Sequence, residues 1–518
     1  MRATRPPLTS RRRSRRPGMP PRGPCWSWYA RFHERRRIIE TWTLAQSTSR
    51  SVYCCLSKPS ARQRHWSIMT RTLDIPTSTR PPRMPGIPYL TDNVNMLNDP
   101  LRYLVQGYRE LGPVFRVCMG FTEYTVLAGL EANLFLQREA EQYLTSETLF
   151  GGMARQLNTD MLLTVLDGEP HRHMRKLMRP GFSRSAIGPH IDKVIGIVRE
   201  YAESLKPGDE IAVFDSMRRL ICNAIGLITT GIKPGDRYQD VLTFLSGAMN
   251  VEVVKVWPRV LLSRPSWKQA KANMFALGKE ILELHRTDPP REGGRTPDMI
   301  DDLMAAVRPD GGPFTEDDLI AFAVGPYIAG IDTLSSTLAF FVYTIAKHPA
   351  VYARAKAEVD ALFDAGMPDL NDFRKLEFLH AAAIETLRRY PATPFTPRTV
   401  KHPFTFAGYD FAVGTEVMFA NGVTHLLDEY YPDPLTFDPE RHLTGEAPPP
   451  GVFAPYTLGP HTCLGAGMAE GLMLITMAGL LRYTAFELPS PDYTVKIRTM
   501  PLPNPGQSFR VKVVNTPA

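Results

Sequence analysis

A single cysteine set among glycines constrains this chain more than any other feature. Residues 456–467 read YTLGPHTCLGAG, with Gly459 before Cys463 and Gly465 and Gly467 after it. Glycines let a backbone turn sharply and pass close to a flat object. The residues after Cys463 predict a long apolar helix, which puts the cysteine at a helix N-terminus. Unpaired N–H groups and the helix dipole favour an anion there. A cysteine so placed is expected to have a lowered pKa and to serve as a thiolate metal ligand. Taken alone, such a residue is more often a buried structural cysteine, so its partners upstream decide the reading.

Length and charge narrow the field. The 518 residues are 43% hydrophobic, ample for one large core or two to three domains. No uninterrupted apolar run reaches the ~18 residues that span a bilayer. The long apolar stretches therefore read as core helices, and no transmembrane anchor is expected. The net charge of +8 is unevenly placed: residues 1–68 hold 16 Lys/Arg and 2 Asp/Glu, leaving the remainder at −6. No nucleic-acid partner is expected for that acidic remainder. The six cysteines (25, 54, 55, 118, 222 and 463) contain no CxxC pair, so neither a disulfide framework nor a zinc site is indicated, and a reducing compartment fits.

Residues 1–68 are rich in Arg, Pro and Ser and are expected to be a disordered basic tail. The segment is either extraneous to the fold, with Met69 a natural start, or a targeting segment for an organelle. A basic arm for nucleic acid is a third reading.

From residue 82 a Pro-rich entry leads to a helix over 98–111. A hairpin follows, with strands at 114–119 and 124–128. In DGEPHRHMRKLMRPGFS, His171 and Arg175 share a helix face and together can hold a carboxylate or phosphate. Amphipathic helices are expected over 191–205, 214–230 and 268–285. The longest helix runs from Glu316 to about Lys347, capped by Thr315 and Asp318. Its centre, AVGPYIAGIDTLSST, carries Pro326 between Gly325 and Gly330, then Asp332 and Thr333. A mid-helix distortion with polar groups is expected there, and such places often mark functional sites. Farther on, Glu385 and Arg388 lie three apart on an apolar helix, and Arg441 is a candidate third member of a buried ion cluster. Arg398 emerges from an extended segment, and short strands are expected at 404–406, 409–412 and 416–420. The fold class is mainly α with small β-sheets.

In this order the motifs resemble those of the cytochrome P-450 family, the haem-thiolate monooxygenases, from about residue 82 to the C-terminus. Ala329-Gly330-Ile331-Asp332-Thr333 matches the oxygen-activating helix motif. Glu385 and Arg388 match Glu-x-x-Arg, and Pro439-Glu440-Arg441 matches the segment that completes the Glu–Arg–Arg cluster. Gly459 through Gly465 matches the haem-binding loop, and His171 with Arg175 matches a helix motif of many bacterial members. The chain departs from the family at Tyr456 and Thr457, where Phe and a small residue are usual, and at His442, where Phe is usual.

The resemblance implies a single P-450 domain over 69–518, a triangular α-rich body around a long central helix. It implies haem b with Cys463 as axial thiolate, and O2 as co-substrate. His171, Arg175, Arg398 and His461 would hold the propionates, with Ala329, Gly330 and Gly465 against the haem. Asp332 and Thr333 would relay protons, and Glu385, Arg388 and Arg441 would be structural. An apolar pocket is expected from Phe150, Phe322, Ile328 and Phe395, with Leu502 a further candidate. The substrate would be a terpenoid, steroid or fatty acid. About 55 residues follow Cys463, so no flavin domain is expected. NAD(P)H electrons would come through a ferredoxin and ferredoxin reductase docking near Arg172 and Arg179. The protein would be a cytoplasmic monomer. The alternatives are a peroxide-using or lipid-rearranging haem-thiolate enzyme, or a haem-binding protein without monooxygenase activity.

Overall fold

The computed structural model describes residues 80–515 apart from Gly293, Gly445 and Met500. The expectations for residues 1–68 lie outside the described residues.

The helix Glu316–Lys347 organises the fold. Its N-terminus is fixed by the expected capping box: Asp318 N–H donates to Thr315 Oγ1 (3.1 Å) and Thr315 N–H donates to Asp318 Oδ2 (3.0 Å). Arg308 and Thr159 also donate to the Asp318 carboxylate, each at 2.6 Å. The helix runs unbroken through Pro326, so no break accompanies the lost backbone donor. It is long and apolar enough to cross a membrane, but 78% of its apolar window is buried inside the protein, which makes it a core helix.

Its two halves serve two cores. Ile320 to Ile331 pack with the helices Tyr238–Ala248, Pro265–Thr287 and Met299–Met304. Leu334 to Ile345 pack with Ile191–Glu203, Val213–Thr230, Glu377–Arg389 and Ala466–Tyr483.

Among the described residues ten strands complete the fold: β1 Val114–Met119, β2 Thr122–Ala128, β3 Leu144–Thr145, β4 Glu210–Ala212, β5 Thr396–Val400, β6 Phe404–Phe406, β7 Tyr409–Phe411, β8 Glu416–Ala420, β9 Ala485–Glu487 and β10 Arg510–Asn515. One sheet has the order β1-β2-β8-β5-β3. The expected hairpin β1–β2 is antiparallel, but β2 then pairs in parallel with β8, Thr125 opposite Val417. β5 joins β8 with Arg398 opposite Val417. The helix expected over 98–111 is Pro100–Leu111, and a further helix, Leu90–Asn98, which was not expected, precedes it. Pro100 cannot donate a backbone hydrogen bond, and Asp99 caps the second helix by accepting from Arg102 N–H.

Candidate active site

Cys463 lies two residues before Gly465, which begins the helix Ala466–Tyr483. Its N–H donates to Tyr456 O at 2.9 Å, closing the loop on itself. Gly459 takes a φ of 78°. A Cβ there would sit 2.6 Å from Leu136 O, so glycine is required for the loop to lie against its neighbour. Cys463 is exposed, while Cys118 and Cys222 are buried. The expected low pKa is corrected: protein packed around the base of the thiol pushes its pKa up. The Gly465 N–H and the charge of Arg175 oppose that shift. Coordination by a metal would deprotonate the thiol outright.

The long helix, buried along most of its length between its two ends, opens one stripe at its centre. Ala329 is exposed, and Gly325, Ile328, Gly330 and Thr333 are half-buried. Ile328 and Leu464, the neighbour of Cys463, border the same apolar cluster, which also holds Met174 and Ile331. Gly330 is glycine because a Cβ would meet Ile225 Cδ1 at 2.4 Å, so it allows the helix Val213–Thr230 to approach. Thr333 donates back to Ala329 O at 2.8 Å. Asp332 turns the other way: it is buried and accepts from Arg218 on Val213–Thr230 at 2.7 Å. Burial raises its pKa against that pairing.

The four expected propionate partners gather in one place. The rings of His171 and His461 stack with centroids 4.1 Å apart. His461 pairs with Asp167 at 3.3 Å, and Lys401 donates to the same carboxylate at 3.4 Å. His171 is buried and its Nδ1 has no hydrogen-bond partner among the described residues. Burial, with His461 and Arg175 nearby, pushes its pKa down to about 4. Arg398 is buried on β5 and donates to Pro397 O, with Asp167 the opposing charge; burial lowers its pKa to about 10. It lines a small cavity with His461, Leu136 and Leu458. Asp167 precedes the helix Gly168–Met178, yet its side chain does not cap it. Instead it faces this cluster.

Glu385 and Arg388 are fully buried. Arg388 donates through Nε and Nη2 to both Glu385 oxygens (2.8 and 2.7 Å). Arg441 joins at 3.2 Å, as expected, and His442 is a fourth member at 2.8 Å. Arg388 also donates to His425 O (2.7 Å) and Pro434 O (2.8 Å). His425 in turn accepts from Ala454 N–H through Nε2 (2.8 Å). The cluster thereby fixes the segment that leads into the cysteine loop.

The pocket residues separate. Phe150 and Ile328 border the cluster beside the long helix, but Phe322 is buried within it, edge-on to Phe314 at 5.2 Å. Phe322 is therefore core rather than lining. Phe395 packs against a different cluster, which includes Leu101 and Met418, and Leu502 is half-buried. The partners missed from sequence are Arg218, Asp167 and Glu470. Burial lifts the Glu470 carboxyl to about 7, opposed by Arg184 and by a hydrogen bond to Tyr456. Sequence offered only weak signals for these, such as an arginine pair at 218–219 in an apolar helix.

The fit to a bound group can be judged from these atoms. An outward-facing thiol, an open helix stripe, an unpartnered buried imidazole nitrogen and a buried arginine suit a flat metal macrocycle bearing two carboxylates. They define a haem-thiolate protein. A family model described as Cytochrome P450 matches residues 81–512. The chain belongs to the cytochrome P450 family and is a cytochrome P450 monooxygenase, a class that uses haem, O2 and redox partners. It is 26% identical over 399 residues to the putative cytochrome P450 139 of Mycobacterium tuberculosis, covering 75% of this chain and 91% of that protein. It is 28% identical over 343 residues to cyclooctat-9-en-7-ol 5-monooxygenase of Streptomyces melanosporofaciens, covering 64% and 74%. The solved structure of retinoic acid bound cyanobacterial CYP120A1 superposes with a TM-score of 0.71 at 24% identity, over 84% of this chain and 98% of that one, and shares the fold.

Proposed function

We propose that Cys463 is the axial thiolate of haem b and that the protein inserts one oxygen atom from O2 into an apolar small molecule. The exposed Cys463 thiol within reach of the Arg175 charge carries this reading. Haem held by a thiolate supplies the oxygen chemistry, because the sulfur donates electron density that favours O–O cleavage.

The chain binds, orients and protonates. Arg175 and Arg398 would hold the propionates by charge-assisted hydrogen bonds, with His461 and His171, whose Nδ1 has no hydrogen-bond partner among the described residues, completing the set. Ala329 and Gly330 give the flat group room, and the Gly465 N–H tempers the sulfur's donation. Thr333 holds a proton donor at the helix stripe. Asp332 supplies protons by exchanging its Arg218 partner for water. Ile328 and Phe150 are apolar walls of the substrate pocket. The substrate is a terpenoid, steroid or fatty acid, and the cyclooctat-9-en-7-ol of one relative's name favours a terpenoid. Electrons from NAD(P)H arrive through a ferredoxin and its reductase. Arg172, exposed and sharing Glu169 and Glu141, and Arg179, also exposed, lie on the docking face of a cytoplasmic monomer.

The test is the absorption spectrum of the reduced protein with carbon monoxide. A strongly red-shifted Soret band, lost in Cys463→Ala, is the expected result. An unshifted, histidine-like band in the native protein would overturn the ligand assignment.

A further inference from the structure

A cavity of about 250 Å³ opens where the start of the helix Pro100–Leu111, the second half of the long helix, the end of the helix Glu377–Arg389 and residues 494–503 meet. None of the residues assigned to the haem lines it. Phe340 and Tyr343, on its wall, stand roughly 10 and 15 Å beyond Thr333 along the long helix.

Aromatic rings form much of that wall. Phe340 stacks on Tyr390 with centroids 4.6 Å apart, and Tyr343 meets Tyr390 edge-on at 6.3 Å. Phe340 and Tyr343 are otherwise buried in the core, which holds them in place.

The charge of the cavity is not balanced. Arg388 and Arg389 adjoin on one helix and meet opposite surroundings. Arg388 donates to Glu385 and to the carbonyls of His425 and Pro434. Among the described residues Arg389, which lines the cavity, has no such acceptor: its Nε is buried without a hydrogen-bond partner. Its guanidinium lies 5.5 Å from the centroid of the Tyr390 ring. The carboxylate at the cavity, Asp99, is already taken. One of its oxygens accepts from Arg102 N–H and the other pairs with Arg102 Nε, both at 3.2 Å. Arg102 and Arg389 against Asp99 leave one positive charge over. Burial pushes the Arg389 pKa down, and the charges of Arg388 and Arg102 add to that shift, against Tyr390 and Glu385. A guanidinium offers five N–H donors, and burying them without acceptors is costly.

These two features select a ligand. A bare inorganic anion would answer the arginine and leave the rings uncovered. A neutral apolar molecule would cover the rings and leave the arginine unpaired. An aromatic acid does both, since a carboxylate matches the arginine fork and a ring packs on rings. The volume falls just under the roughly 300–1,000 Å³ of drug-sized ligand pockets, so the ligand is small.

We propose that this cavity is a second ligand site, which takes a small aromatic carboxylic acid with its carboxylate on Arg389 and its ring against Tyr343 and Tyr390. The site does not rest on the haem assignment.

The test is titration calorimetry of the full-length holoprotein with naphthoate. Saturable binding is expected, about tenfold or more weaker in Arg389→Gln because a charge-assisted hydrogen bond is lost. That variant should melt no lower than the native protein, since it removes a buried charge without a partner. Thr494→Trp, at an exposed position lining the cavity, should keep the fold and weaken binding by obstructing entry, so it decides the matter if Arg389→Gln fails to fold. Naphthamide, which has the ring without the charge, and sulfate, which has the charge without the ring, should each bind about tenfold or more weakly than naphthoate. Native affinity in the folded variants would overturn the proposal, because the acid would then be bound elsewhere, the haem face included. So would equal binding of naphthamide or of sulfate, or no binding of naphthoate.

Discussion

Two clusters of charge lie on either side of the cysteine loop's approach, and they are built to opposite rules. Around Glu385 every group is spent: both carboxylate oxygens accept, and Arg388 divides its donors between that carboxylate and backbone carbonyls. Around Asp167 the cations outnumber the anion. Arg398 and Lys401 face the one carboxylate with which His461 pairs, and the neighbouring His171, its pKa lowered by burial, has no hydrogen-bond partner at Nδ1 among the described residues. A buried ion cluster that is complete in itself holds a fold together. One with surplus cations is arranged for a ligand that brings the missing negative charge.

That contrast breaks most sharply at Glu385. Glu385→Gln leaves Arg388 buried without a counter-charge and should cost about 3–5 kcal/mol, measured by urea unfolding. A cost under about 1 kcal/mol would mean the backbone carbonyls suffice to hold Arg388. Acid should act on the same cluster. Its partners hold Glu385 down at about 2, below the ordinary 4.5. The stabilisation is therefore fully present above pH 4.5 and is lost as pH falls from there toward 2. Glu385→Gln should flatten the stability profile across that window.

Arg398→Leu sharpens the other side. Removing a buried arginine whose pKa is already depressed should leave stability unchanged or raised in the haem-free protein. Haem loss from the holoprotein should accelerate about tenfold or more, because a charge-assisted bond is gone. Marked destabilisation of the haem-free protein would instead place Arg398 with the structural cluster. Thr333→Ala is expected to have the smallest effect on stability, under about 1 kcal/mol, since among the described residues its hydroxyl bonds only back along its own helix. Its effect should appear as reductant consumed without product. Unchanged coupling would move the proton donor elsewhere.

Local chemistry made much of this legible. The cysteine loop, the capped long helix and the Glu385–Arg388 pair are read from short spacings, because glycine turns, capping boxes and i,i+3 pairs depend on near neighbours in the chain. The hairpin β1–β2 was readable for the same reason. Its parallel pairing with β8, nearly three hundred residues away, was not. Neither were the strands β4, β9 and β10, which form one small sheet from distant segments.

The sequence by itself determined the class of protein, the candidate ligand Cys463, and the identity of the cations placed near Asp167. Tertiary structure decided what those groups face. It turned Asp332 toward Arg218 rather than leaving it free, and withdrew Phe322 into the core. It raised the pKa of a thiol whose helix-terminal position argued for a low one. The physical reason is common to all three. Burial and charge pairing depend on which distant side chains share a volume, and a local pattern fixes a residue's direction but not its neighbours.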